Sequence, residues 1–221
     1  STDFYQEGDF LWLDVDDEIR HLTEDQKSIT DFCRLFHGET SGEPDLKPYN
    51  FDDVVAGLNQ IAPYDWAKFL RDRLDSLAPN TMDEALDNSG WKIVYNDDPN
   101  EMQDKRDKVR KEVDLQLSVG LWLKNDGTVK DVIYDGPAYK AGFAPGMKIT
   151  AVNGIKTDPG SIADTLKQAI KDAEHTNEPI RFIAANGLDV ETYAVDYHGG
   201  LRYPHLVRDE SHSDLLSEIL E

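Results

Sequence analysis

The repeat of apolar positions changes partway along the chain, and the change divides it. Up to about residue 79 the period is helical. Phe4, Phe10, Leu11, Leu13, Val15, Ile19 and Leu22 cover a wide arc of one predicted helix over residues 3–22, with Asp14, Asp16, Asp17 and Glu18 expected to face solvent. So broad an arc implies burial among further helices. Ser28, with Asp31 three residues on, forms a capping box ahead of Phe32, Leu35 and Phe36, and Gly38 stops that second helix. A polar loop with two prolines follows, from Glu39 to Tyr49. Val54, Val55, Leu58 and Ile61 then mark a third helix ending at Pro63. Asp65 caps a fourth, predicted over 66–77, with Trp66, Phe69, Leu70 and Leu74 on one side.

After Pro79 the pattern predicts a short helix over 82–88 and a strand from Trp91 to Tyr95. Charge dominates 96–112, which reads as a solvated helix or linker. From residue 113 the period becomes two. Val119-Gly120-Leu121 opens a pair of alternating segments split by Asn125-Asp126-Gly127, a hairpin turn needing left-handed positions. Pro137 can start a short helix and Gly142 close it in the left-handed conformation. Turns at Pro145-Gly146 and Asn153-Gly154 bracket a strand. A helix over 161–174 places Ile162, Leu166, Ala169 and Ile170 on one stripe, and Ile180–Ala184 pairs with Val190–Asp196 around Asn186-Gly187. The tail from His198 carries two glycines, a proline and a short terminal helix, and is expected to dock rather than fray.

These changes suggest an α+β chain: an all-α region over 1–79, a connector over 80–112, a β barrel or sandwich with two helices over 113–197, and a docking tail over 198–221. At 221 residues and 39% hydrophobic, the chain can bury two modest cores. Its 44 acidic and 23 basic side chains leave a net charge of −21, which repels phosphate backbones and argues against a nucleic-acid partner. No apolar run approaches the roughly 20 residues of a membrane span. The single cysteine, Cys33, rules out an internal disulfide and is expected to be a buried thiol.

The run GPAYKAGFAPGMKITAVNG, preceded by Val119-Gly120-Leu121, resembles a PDZ domain of the bacterial protease type, departing only at Lys148, where that family usually has Asp. The resemblance implies a peptide-binding module. An extended peptide end would add as a strand beside the segment after the Leu117–Gly120 loop, its carboxylate held by loop N–H groups. Val119, Gly120, Leu121 and Leu123 would face Ile162, Leu166 and Ala169 across an apolar pocket, with affinity in the micromolar range. The competing reading makes the same positions core, with the groove empty or filled by the chain's own tail.

The helical half carries a second resemblance. FYQEGDFLWLDVD followed by Ile19-Arg20, then PYNFDDVVAGLNQIAPYDWAKFLRDRLD, then GWKIVYND, and finally YHGGLRYPHL after the PDZ-like part, is similar to the glycyl aminopeptidase family of zinc metallopeptidases. That resemblance covers nearly the whole chain and implies a parent enzyme removing N-terminal residues, Gly or Ala among them. It implies zinc in the parent and none here. Two His four apart, with a Glu between them, are needed to hold and use such a zinc. His21, His37, His175, His198, His205 and His212 include no such pair. The partner implied is therefore a missing N-terminal catalytic domain, and the opening STDFYQEGDF, which starts in mid-pattern, agrees with a fragment. In related aminopeptidases a Tyr three residues before a Gly donates its phenol hydroxyl to the oxyanion developing at the scissile carbonyl. Tyr5-Gln6-Glu7-Gly8 matches that spacing. Arg202, Tyr203 and His205 are candidates for docking or for a substrate carboxylate, since Arg suits planar carboxylates. The alternative is a stand-alone PDZ scaffold module without peptidase activity.

Overall fold

The computed structural model describes residues 3–38, 42, 46–75 and 81–220. Part of the expected Glu39–Tyr49 loop and the boundary at Pro79 lie outside these residues. The architecture is mixed α+β with open antiparallel sheets, and among the described residues no barrel closes. Five helices come first: α1 (Asp3–Thr23), α2 (Ile29–His37), α3 (Phe51–Ile61), α4 (Trp66–Leu74) and α5 (Thr81–Asn88). Next come β1 (Trp91–Asn96), α6 (Glu101–Arg110), β2 (Glu112–Leu115), β3 (Leu121–Lys124), β4 (Val129–Val132) and α7 (Pro137–Lys140). The chain finishes with β5 (Lys148–Val152), β6 (Ile155–Lys156), α8 (Ile162–Glu174), β7 (Ile180–Asn186), β8 (Asp189–Val195), β9 (Tyr203–Arg208) and α9 (Leu215–Leu220). Two compact units result, one formed by Ser1–Ile93 with Leu206–Glu221, the other by Val94–His205. β1 pairs with β9 in a two-stranded sheet, and both strands run from one unit into the other.

In the helical unit, Val15, Ile19, Phe32, Leu58, Ile61, Ala62, Trp66 and Leu70 form the core. Trp66 is wholly buried and its indole N–H donates to the Ala62 carbonyl at 2.8 Å, which removes the cost of burying that donor. The capping box at Ser28 forms: Asp31 accepts from the Ser28 N–H at 2.9 Å while the Ser28 hydroxyl accepts from Thr30. Asn50 and Asp53 build a second box at the start of α3. The tail returns to this unit, where the Leu215 and Leu216 N–H groups donate to the Ser89 carbonyl and the Trp91 indole donates to Asp214 at 2.8 Å.

Two expectations for this unit are overturned. Asp14, Asp16 and Asp17 do not face solvent: they are 9%, 2% and 6% exposed. The wide apolar arc of α1 leaves no purely outward face, so the acids are packed against other elements. Asp16 accepts from the Ile29 N–H and from Arg20 Nε at 3.1 Å, and Asp14 pairs with Arg73 Nε at 2.8 Å. Cys33 is exposed, not buried, because α2 turns the neighbouring Phe32 inward instead.

In the other unit the sheets run β2-β3-β4 and β6-β5-β7-β8, enclosing one apolar core that α8 completes. β7 and β8 pair from Ile180↔Val195 to Asn186↔Asp189. Gly127 has φ +88°, and a Cβ there would lie 2.4 Å from the Ile149 carbonyl oxygen, so the hairpin turn demands glycine. α6 buries nothing and is laced by Glu101–Lys105 and Asp104–Lys108 pairs, a solvated helix.

Candidate functional site

Tyr5 lies in the first turns of α1, 66% exposed, with Glu7 and Asp9 also exposed. Gly8 follows one turn later on the same helix face, and nothing approaches within 4 Å of where its Cβ would be. Among the described residues, no three His, Cys, Asp or Glu are grouped to hold a metal ion. These residues do not fit a catalytic zinc.

The residues expected to line a peptide groove are core. Val119, Leu121, Leu123 and Leu166 are fully buried, Ile162 is 1% and Ala169 5% exposed. β3 is a central strand: β2 pairs with it from Glu112↔Lys124 to Leu115↔Leu121, and β4 takes its other edge. No backbone edge of β3 remains for an added strand. The loop N–H groups of Ser118 and Gly120 both donate to the Leu115 carbonyl. The chain's own tail covers the region further. His198 Nδ1 lies 2.8 Å from the Ala173 carbonyl at the end of α8, and the Arg202 N–H donates to the Ser118 hydroxyl at 3.1 Å. Leu201, between these anchors, and Tyr203, just beyond them, join the core. Gly120, with φ +80°, serves the tight loop.

Three residues proposed for external contacts are used internally. Tyr203 is 3% exposed, and its hydroxyl is held neutral: burial first, then the charges of Asp107, Asp114 and Asp104, push its pKa up to about 12. The Arg202 guanidinium stacks over Tyr95 at 4.4 Å. His205 Nε2 lies 2.8 Å from the Asp98 carbonyl oxygen.

The helical unit also contains a cavity of about 980 Å³ that sequence reasoning missed. Its carboxylates are Asp14, Asp17, Glu18, Glu24, Asp25 and Asp72. Arg20, Arg73, His21 and His212 supply the basic groups, with Phe69 and Leu215 as apolar wall. Both Asp17 carboxylate oxygens are buried without a hydrogen-bond partner, and so are Nε and Nη2 of Arg73. Arg73 Nε lies within ion-pair distance of Asp14 but outside hydrogen-bond geometry. Burial, followed by repulsion from Asp14 and Asp16, raises the Asp17 pKa from 3.8 to about 7, with Arg20 pulling the other way. The available signal was four acids within five positions on a helix whose apolar arc was already too wide to leave a polar face.

No family model and no curated protein matches the chain. Its fold is similar to a solved aminopeptidase N family protein from Idiomarina loihiensis, at 18% identity and a TM-score of 0.58, over 95% of this chain and 37% of that one. The chain thus spans little more than a third of that protein. A solved HtrA3 PDZ domain bound to a phage-derived ligand also matches at 15% identity, over 55% of this chain and 95% of that one, with a TM-score of only 0.25.

Proposed function

We propose that this chain is the C-terminal part of a zinc metallo-aminopeptidase of the glycyl aminopeptidase type, which releases N-terminal residues such as Gly or Ala from peptides. The observation that carries this reading is a likeness in fold running through both units to about a third of an aminopeptidase N family protein. The ordered series of motifs from Tyr5 to the tail supplies the finer assignment. The zinc belongs to residues outside this chain. Tyr5, exposed at the start of α1, is the chain's own candidate contribution to chemistry: a neutral phenol hydroxyl able to donate to negative charge developing on a carbonyl oxygen. The PDZ-like unit acts as a structural partner or substrate guide, because its groove positions are already used by the chain itself.

The test compares a longer protein carrying the preceding catalytic region with this chain alone, on aminoacyl anilides with zinc. Turnover is expected only from the longer protein, and Tyr5→Phe in it lowers kcat by about 10²–10³ with little change in KM. Zinc-dependent turnover by this chain alone, or full activity of Tyr5→Phe, refutes the reading.

A further inference from the structure

We propose that the cavity of the helical unit is a binding site for a small zwitterion carrying an ammonium and a carboxylate, that is, a free amino acid, held by Asp17 at one end and Arg73 at the other. The inference does not depend on peptidase activity. It begins from two orphans of opposite sign on the same cavity wall.

Asp17 is 6% exposed, and neither of its oxygens receives a hydrogen bond. Its neighbours on α1 are satisfied: Asp16 by Arg20 and the Ile29 N–H, Asp14 by its ion pair with Arg73. Arg73, on α4, presents Nη2 as a buried donor with no acceptor. Native interiors rarely leave such groups unmade, since each costs the full desolvation of an unpaired polar atom. One carboxylate short of donors and one guanidinium short of acceptors are together complementary to a molecule with both groups. A simple cation answers only Asp17; a simple anion answers only Arg73.

The size and surplus charge narrow the class. A volume of about 980 Å³ lies at the upper end of small-ligand sites and exceeds what glycine fills. With the Asp14–Arg73 pair set aside, the wall beyond Asp17 carries four carboxylates, Glu18, Glu24, Asp25 and Asp72, against one guanidinium, Arg20, and the imidazoles of His21 and His212, so a basic side chain is favoured over an acidic one. Phe69 and Leu215 provide apolar surface for its methylene stem. Arginine and lysine are the amino acids this chemistry fits.

The experiment is calorimetric titration of this chain with four probes: L-arginine, agmatine, which lacks the carboxylate, N-acetylarginine, which lacks the ammonium, and L-glutamate. L-arginine is expected to bind saturably, with agmatine and N-acetylarginine each weaker by at least about tenfold and glutamate weaker still. Asp17→Asn should abolish the difference between arginine and N-acetylarginine while leaving the preference over agmatine. Arg73→Lys, which keeps a cation beside Asp14, should do the reverse; far-UV spectra of both variants check that the helices persist. Equal binding of arginine, agmatine and N-acetylarginine overturns the proposal in favour of general attraction to an acidic surface. So does the absence of arginine binding, or an Asp17→Asn protein that still discriminates against the acetylated probe.

Discussion

Replacing Asp17 by Asn should stabilise the helical unit, and by an amount that depends on pH. The unfolded chain ionises this carboxyl near its ordinary value of 3.8, whereas the folded protein holds its proton up to about 7. Between those limits the folded state binds the extra proton, so its stability falls as pH rises and the loss is complete above about 7. A change of that size corresponds to an upper bound of about 4 kcal/mol. An open cavity screens part of it, which leaves roughly 2 kcal/mol. Asn fills nearly the same volume without the charge. For a unit of this size, roughly 2 kcal/mol amounts to a rise of roughly 10 °C in Tm. Thermal melts of both proteins, followed by far-UV circular dichroism from about pH 4 to about pH 8, read the gap between them. It should be near zero at the acidic end, widen toward pH 7 and then level off. His21 and His212 also line the cavity, but they are present in both proteins and cancel in the difference. A gap that is constant with pH, or an Asn variant that melts lower at about pH 8, refutes the account of Asp17 as an unanswered buried charge.

Two further outcomes follow from burial and pairing. Peptides ending in an apolar residue should show no saturable binding to this chain by calorimetry, because β2 and β4 take both edges of β3; micromolar binding that is lost in Gly120→Trp would restore the groove. Cys33 should react with a thiol reagent in the folded protein as fast as in denaturant to within about tenfold, since it is exposed; strong protection would place it back in the core.

Local chemistry in the sequence located much of the fold. The turn at Asn125–Gly127, the Pro137 helix start, the Ser28–Asp31 cap and the Asn186-Gly187 hairpin each depend on residues within a few positions of one another, and all are present. What escaped depends on distant partners. Asp14 is buried because Arg73 comes from another helix to meet it, and no pattern within α1 announces that. The groove was read from apolar positions that a peptide pocket and a closed core share. Only the pairing of β2 with β3 and the burial of Leu201 and Tyr203 separate the two. β9 was hidden too, since Pro204 interrupts its alternation and its partner β1 is separated from it in sequence by every element from α6 to β8.

The pairing of β1 with β9 brings side by side the two places where the chain crosses between units, so residues 94–205 are an insertion that splits the sequence of the helical unit. On the ribosome, the early helices must therefore wait for residues 206–221 before their last element can close over Ser89, while the inserted unit already has its complete sequence. Neighbouring entry and exit strands also provide a natural splice point. A short turn joining them would leave both remaining segments of the helical unit in one continuous chain, so the two halves of this protein are separable by exchange in a way that a simple tandem order would not suggest.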